Sequence, residues 1–172
     1  LYQATGFLIS KADELRIDPK TIIVSGSSAG AITSLHADWY KRNKHTLSQS
    51  LPEGFQYSGV VSFAGAIFST SGKPSYEISP APTLFFHGTA DKTVPYNKRQ
   101  LFNKGFFGSN YLARVFSKKD YLYYLVSQEG AGHEIAVTPM NERLLEVLQF
   151  IQTAVIRRSD FRKETTLIPV GN

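Results

Sequence analysis

A chain of 172 residues, 42% hydrophobic and 19% charged, is long enough to bury one sizeable core and too apolar for a disordered or fibrous polymer. It contains no cysteine, which excludes disulfides, thiolate catalysis and cysteine-held zinc or iron–sulfur centres. The net charge of +5 sits on pairs far apart in sequence, Lys41-Arg42, Lys98-Arg99, Lys118-Lys119 and Arg157-Arg158; this reads as solvated surface rather than a nucleic-acid-binding face, and no apolar run approaches the roughly 20 residues of a membrane span.

Leu1, Thr5, Leu8, Ala12 and Leu15 recur at helical spacing, and Asp18-Pro19 bars that helix from continuing. Thr21-Ile22-Ile23-Val24 is short and β-branched with no polar alternation, the pattern of a strand covered on both faces of a parallel sheet. After Gly26 the period turns helical, with Ile32, Leu35 and Trp39 on one face and the polar run from Lys41 to Lys44 as its end. Further strands are predicted at Val60-Val61-Ser62-Phe63, Thr83-Leu84-Phe85-Phe86 and Tyr121 to Val126, and the Ser-, Gly- and Pro-rich stretch from Ser69 to Pro82 is predicted as one long loop. The last helix places Leu144, Leu148, Ile151 and Val155 on one face, with Glu142 and Glu146 early and Arg157-Arg158 late. Strands alternating with helices give an α/β domain over residues 1–158, a mostly parallel sheet flanked by helices, and the polar residues 159–172 read as a loosely held tail.

Gly26-Ser27-Ser28-Ala29-Gly30 has the form Gly-x-Ser-x-Gly, in which small flanking residues permit a sharp turn that lifts a serine hydroxyl above a sheet. By chance alone three such fixed positions recur in roughly one chain in twenty of this length, so the motif gains its weight from lying between a buried-type strand and a helix. Ser28 is the candidate nucleophile, and the N–H of Ala29 at the helix start is a candidate oxyanion donor.

A serine hydroxyl needs a base, and in a chain without cysteine that base is histidine. His36 shares the helix face of Leu35 and Trp39 and reads as a core histidine, while His45 lies in a polar run and reads as surface. His87 ends a strand directly before Gly88 but precedes the candidate acid, which breaks the order serine, acid, histidine. His133 follows the strand Tyr121 to Val126 in a loop whose glycines, Gly130 and Gly132, let the backbone bend the imidazole over the sheet edge. Asp91, just past the strand ending at Phe86, is the candidate acid, since open parallel sheets gather their functional groups at the carboxyl ends of strands. Glu134 and Asp120 are the alternatives; Glu134 adjoins His133, which usually turns its side chain away from the imidazole. Phe102, Phe106, Phe107, Tyr111 and Phe116 follow the acid loop and read as ordinary core before pocket wall, and Tyr121, Tyr123 and Tyr124 as strand packing.

Ser28, Asp91 and His133 in that order, with Arg16-Ile17-Asp18-Pro19 before the elbow strand and Val94-Pro95 after the acid, resemble the carboxylesterase-like esterase/lipase branch of the α/β-hydrolase superfamily over nearly the whole chain. The resemblance implies a serine hydrolase that cleaves carboxylic esters of small molecules through an acyl-enzyme, with no metal or organic cofactor. Similar acid and histidine segments occur in dienelactone-hydrolase-like enzymes and prolyl-oligopeptidase-type peptidases, so a serine peptidase is the alternative enzyme. A catalytically silent binding module of the same fold is the alternative from another class. Likeness to carbohydrate esterases favours a secreted or periplasmic setting. In this superfamily several strands precede the elbow strand, and a Gly-rich segment after one of them gives the second oxyanion N–H; no such segment is present in this sequence. The strand at Thr21–Val24 should therefore have a neighbour on one side only. The expectation is that the chain is the C-terminal part of the fold, whose N-terminal half, or another chain, pairs with that edge.

Overall fold

The computed structural model describes residues 1–169. Helices α1 (Tyr2–Ser10) and α2 (Ala12–Leu15) replace the single predicted helix. Thr5 and Ala12 are buried while Leu1 and Leu15 stay exposed. Asp18 then accepts a hydrogen bond from the N–H of Lys20 and closes a 3₁₀ turn over Pro19–Thr21, so strand β1 starts at Ile23 and runs to Ser27. The elbow sequence is thus the end of the strand itself.

Helix α3 (Ala29–Arg42) leads to β2 (Gly59–Phe63) and β3 (Ala66–Ser69), then β4 (Thr83–Gly88), the hairpin of β5 (Lys98–Leu101) and β6 (Lys104–Gly108), α4 (Ser109–Lys118) and β7 (Tyr123–Gln128). Short helices α5 (Thr138–Glu142) and α6 (Leu144–Phe150) precede β8 (Arg162–Leu167). The main sheet is five-stranded in the order β1-β2-β4-β7-β8, and every pairing in it is parallel. A second, antiparallel sheet has the order β3-β6-β5. Every residue of β2 and β4 is buried, as two covered faces require. On one side Val60, Phe85 and Leu125 pack with Leu35 and Phe116 of the helices. On the other Val61, Leu84, Phe86 and Val126 pack with Phe150, Ala154 and Val155.

Further expectations change. Residues 162–167 form β8, parallel to β7, rather than a loose tail; polar side chains hold it, with the Tyr123 hydroxyl donating to Glu164 at 2.7 Å and Lys163 Nζ lying 4.9 Å from the centre of the Tyr124 ring. The last helix buries only part of its predicted face: Val155 is buried and Ile151 half-buried, but Leu144 and Leu148 are exposed, and Phe150 and Ala154 are buried in their place. The cause is a π-helical turn over Ile151–Ile156, closed by Arg157 N–H on Gln152 O, which rotates the residues beyond it. Lys41 and Arg42 are buried rather than solvated. Arg42 Nε lies 2.9 Å from Asp38 Oδ1, Arg42 also donates to Tyr57 O, and Lys41 Nζ donates to Pro52 O. The aromatic cluster splits, with Phe107 and Phe116 in the core and Phe102 89% exposed at the turn of the β5–β6 hairpin.

Strand β1 pairs with β2 alone among the described residues and forms one edge of the main sheet. That edge is less apolar than predicted, because its second half is Ser25-Gly26-Ser27 and Ser25 is exposed. No helix among the described residues is long and apolar enough to cross a membrane.

Candidate active site

All five parallel strands end on the same side of the main sheet, and the loops beyond β1, β4 and β7 carry Ser28, Asp91 and His133. Ser28 takes φ 51 and ψ −116 between β1 and α3, a conformation costing a non-glycine residue about 1–3 kcal/mol that the surroundings must hold in place. Its N–H donates to Phe63 O, the carbonyl at the end of β2, at 2.9 Å, and its own carbonyl accepts from Ile32 N–H. Gly26 explains why the turn closes: a Cβ there would stand 2.2 Å from Gly30 O. Gly30 differs, since a Cβ on it would meet nothing within 4 Å, so only the first glycine of the motif is demanded by packing. Ala29 is the exposed first residue of α3, and its N–H has no intrahelical acceptor.

The acid and histidine loops are fastened to each other. Thr89 N–H donates to Gln128 O, Ala90 N–H to Ala131 O, and Gly130 N–H to the Thr89 hydroxyl. Gly88 allows the approach, because a Cβ on it would lie 2.3 Å from Ala131 O. The 3₁₀ turn His133–Ala136 is tied in turn to the elbow, where the Ser27 hydroxyl donates to Ala136 O at 2.6 Å.

The three candidate side chains meet. Ser28 Oγ lies 2.8 Å from His133 Nε2, and His133 Nδ1 lies 2.7 Å from Asp91 Oδ2. The Asp91 side chain has no solvent exposure, while His133 retains 27%. Burial would raise the Asp91 pKa, but hydrogen bonds from His133 and from the backbone N–H groups of Val94 and Thr93 outweigh it, and the carboxyl sits below its ordinary value. It is therefore ionised at neutral pH and accepts the His133 Nδ1 proton. This fixes the tautomer that leaves Nε2 free to take a proton from Ser28.

The remaining candidates fall elsewhere. Glu134 turns its carboxylate back on Gly132 N–H, and Asp120 pairs with Arg162. His36 is half-buried rather than a core residue, bonded to Ile32 O and Phe68 O, and it lines a cleft of about 460 Å³ with Ile32, Thr33, Tyr40 and Phe68. His45 is exposed and stacks on Tyr40. His87 is fully buried and faces Asp91 instead of Ser28, its Nε2 lying 3.4 Å from Asp91 Oδ2. Sequence order had set it aside; its place two residues beyond buried Phe85 on β4 put it on the same side of the strand. Among the described residues no cluster of acidic or histidine side chains could hold a metal ion.

Residues 3–154 match a family described as phospholipase/carboxylesterase. Three solved structures share the fold. A truncated form of a carbohydrate esterase from gut microbiota is 17% identical with a TM-score of 0.63, the match covering 88% of this chain and 66% of that one. Esterase PE8 is 19% identical with a TM-score of 0.54, covering 86% and 58%. Thermogutta terrifontis esterase 2 phosphorylated by paraoxon is 18% identical with a TM-score of 0.59, covering 88% and 61%. The chain thus spans between 58% and 66% of the length of these structures. No curated protein matches it.

Proposed function

Since the chain belongs to the phospholipase/carboxylesterase family and has the α/β-hydrolase fold, we propose that it carries the acyl-transfer machinery of a serine esterase acting on small-molecule carboxylic esters. The observation that carries this reading is the unbroken hydrogen-bond chain from Ser28 Oγ through His133 to Asp91. Ser28 Oγ attacks the ester carbonyl while His133 Nε2 takes its proton. The imidazolium is stabilised by the ionised Asp91 and returns the proton to the departing alcohol. Water, deprotonated by the same nitrogen, then attacks the acyl-Ser28 ester and releases the acid. Ala29 N–H faces the developing oxyanion, a donor worth about 3 kcal/mol in such sites. Catalysis in this scheme needs no metal or organic cofactor.

The open outer edge of β1 is where a further strand of the fold, or of another chain, adds; a second oxyanion donor and the walls of a substrate pocket would come from there. The pairing of β1 on one side only among the described residues favours this. A fluorophosphonate probe tests the reading, the similar Thermogutta esterase being one that paraoxon phosphorylates. Labelling of the whole protein should map to the peptide with Ser28 and vanish in Ser28→Ala. A wild-type protein that takes up no probe favours the silent binding module.

A further inference from the structure

We propose that His87 is a positioning residue of this site, a neutral donor that holds Asp91 and its loop in register with His133, with Ser109 holding its other ring nitrogen. The inference rests on the triad reading. His87 has no solvent exposure and its ring is gripped at both nitrogens. Nδ1 lies 2.7 Å from Ser109 Oγ, and Nε2 lies 3.1 Å from Val94 O and 3.4 Å from Asp91 Oδ2.

Only one neutral tautomer suits these neighbours. Val94 O and the Asp91 carboxylate are acceptors, so Nε2 must carry the proton; a lone pair there would face two oxygens. Nδ1 is then an acceptor, and the Ser109 hydroxyl, which has Gly65 O only as a longer alternative at 3.3 Å, donates to it. The doubly protonated ring is disfavoured because burial holds the His87 pKa below the ordinary imidazole value. The titratable groups facing the ring are Asp91, His133 and Tyr96, whose ring packs edge-on at 5.6 Å between centroids.

The consequence is geometric. Val94 donates its N–H to Asp91 Oδ1 and accepts from His87 on its carbonyl, so His87 clamps the turn that presents the carboxylate and also lies against the oxygen bonded to His133. Ser109 begins α4 directly after β6, which couples the second sheet to the acid. A core histidine with no such role would only fill space.

The test compares wild type, His87→Leu, His87→Gln and Ser109→Ala of the whole protein. The rate of fluorophosphonate labelling of Ser28 is followed across pH beside the thermal midpoint. Leucine keeps volume and removes the donor, and should slow labelling about tenfold or more and displace the acid limb of its pH profile. Glutamine can place an N–H near the Nε2 position and should restore the rate to within about threefold of wild type and the limb to its place. Ser109→Ala, which removes the hydroxyl holding Nδ1 and frees the ring to shift, should fall between. His87→Leu labelling with the wild-type rate and limb overturns the proposal, as do leucine and glutamine variants slowed equally with an unmoved limb. If His87→Leu fails to fold, Ser109→Ala decides, and a wild-type profile there overturns it. A labelled wild type with indifferent variants removes His87 alone, whereas an unlabelled wild type removes the triad and this inference together.

Discussion

Among the described residues two carboxylates are withdrawn from water, Asp38 and Asp91, and they lie at opposite ends of one parallel sheet. Asp38 sits on α3 against Ala81 and Tyr57, the residues leading into β4 and β2; its oxygens accept from Arg42 and from Ala81 N–H, and Arg42 spends a further donor on Tyr57 O. That circuit is closed, and it straps the helix to the entry side of the sheet. Asp91 lies beyond the exit side of β4, held by Thr93 and Val94 N–H groups, and passes one oxygen outward to an imidazole that is still partly exposed. The same side chain is a strut where its partners end in the backbone and, in the proposed mechanism, an orienting group where they end in an imidazole that takes up a proton. Both side chains are withdrawn from solvent; what differs is the partner, a guanidinium at Asp38 and imidazoles at Asp91, and where the hydrogen-bond chain leads.

The sharpest way to break this contrast is to neutralise each acid without changing its shape. Asp91→Asn should lower kcat for a chromogenic ester on the order of 10⁴-fold, because the His133 tautomer is no longer fixed, with a modest change in urea midpoint. Asp38→Asn should do the reverse: it leaves Arg42 with an uncompensated charge at 11% exposure and should cost about 3–5 kcal/mol of stability, with kcat of the folded fraction unchanged. Equal losses of activity in both variants would erase the distinction. Gly26→Ala should come next. Its Cβ must displace Gly30 O from 2.2 Å, so about 1–3 kcal/mol of stability is lost by overpacking and labelling of Ser28 falls with it.

Acid titration of stability gives a smaller effect. The folded pKa values of His87 and Asp91 are both lowered, so the unfolded chain binds their protons first and stability rises with pH. The His87 share is present above the ordinary imidazole value of about 6.5 and is lost as pH falls from there through its folded value. The Asp91 share is present above about 3.9 and is lost as pH falls through its own lowered value. Urea midpoints recorded from neutral to acid pH should show both stages, and His87→Gln should delete the first. The smallest expected change is at Glu134, whose carboxylate caps Gly132 N–H; Glu134→Ala should leave kcat within about threefold, and a loss as large as that of Asp91→Asn would make Glu134 the acid.

The site was more legible in the sequence than the fold around it. Gly26 to Gly30, Asp91 and His133 announce themselves because an elbow, an acid after a strand and a glycine-flanked histidine each demand particular residues at particular places. Strand β8 gave no signal, since Arg162-Lys163-Glu164-Thr165 has no apolar alternation and pairs through backbone groups and tyrosine contacts. The last helix misled because a π turn shifts the face that a 3.6-residue period extrapolates. Lys41-Arg42 looked like surface because the partner that buries Arg42, Asp38, reads as polar helix face until Ala81 and Tyr57 close over it. His87 was visible at the end of its strand, but chain order speaks only to which histidine is the candidate base and says nothing about one that lies against the acid.

The central claim, that the Ser28 hydroxyl is deprotonated on demand by His133 under Asp91, is tested most directly by rapid acid quenching of the whole protein during turnover of an activated acetyl ester, followed by peptide mass mapping. An acetyl group on the peptide with Ser28, accumulating in wild type and absent from His133→Ala and Ser28→Ala, is the predicted result. Turnover with no acyl-Ser28, or an acyl-Ser28 that forms as fast without the His133 imidazole, would contradict it.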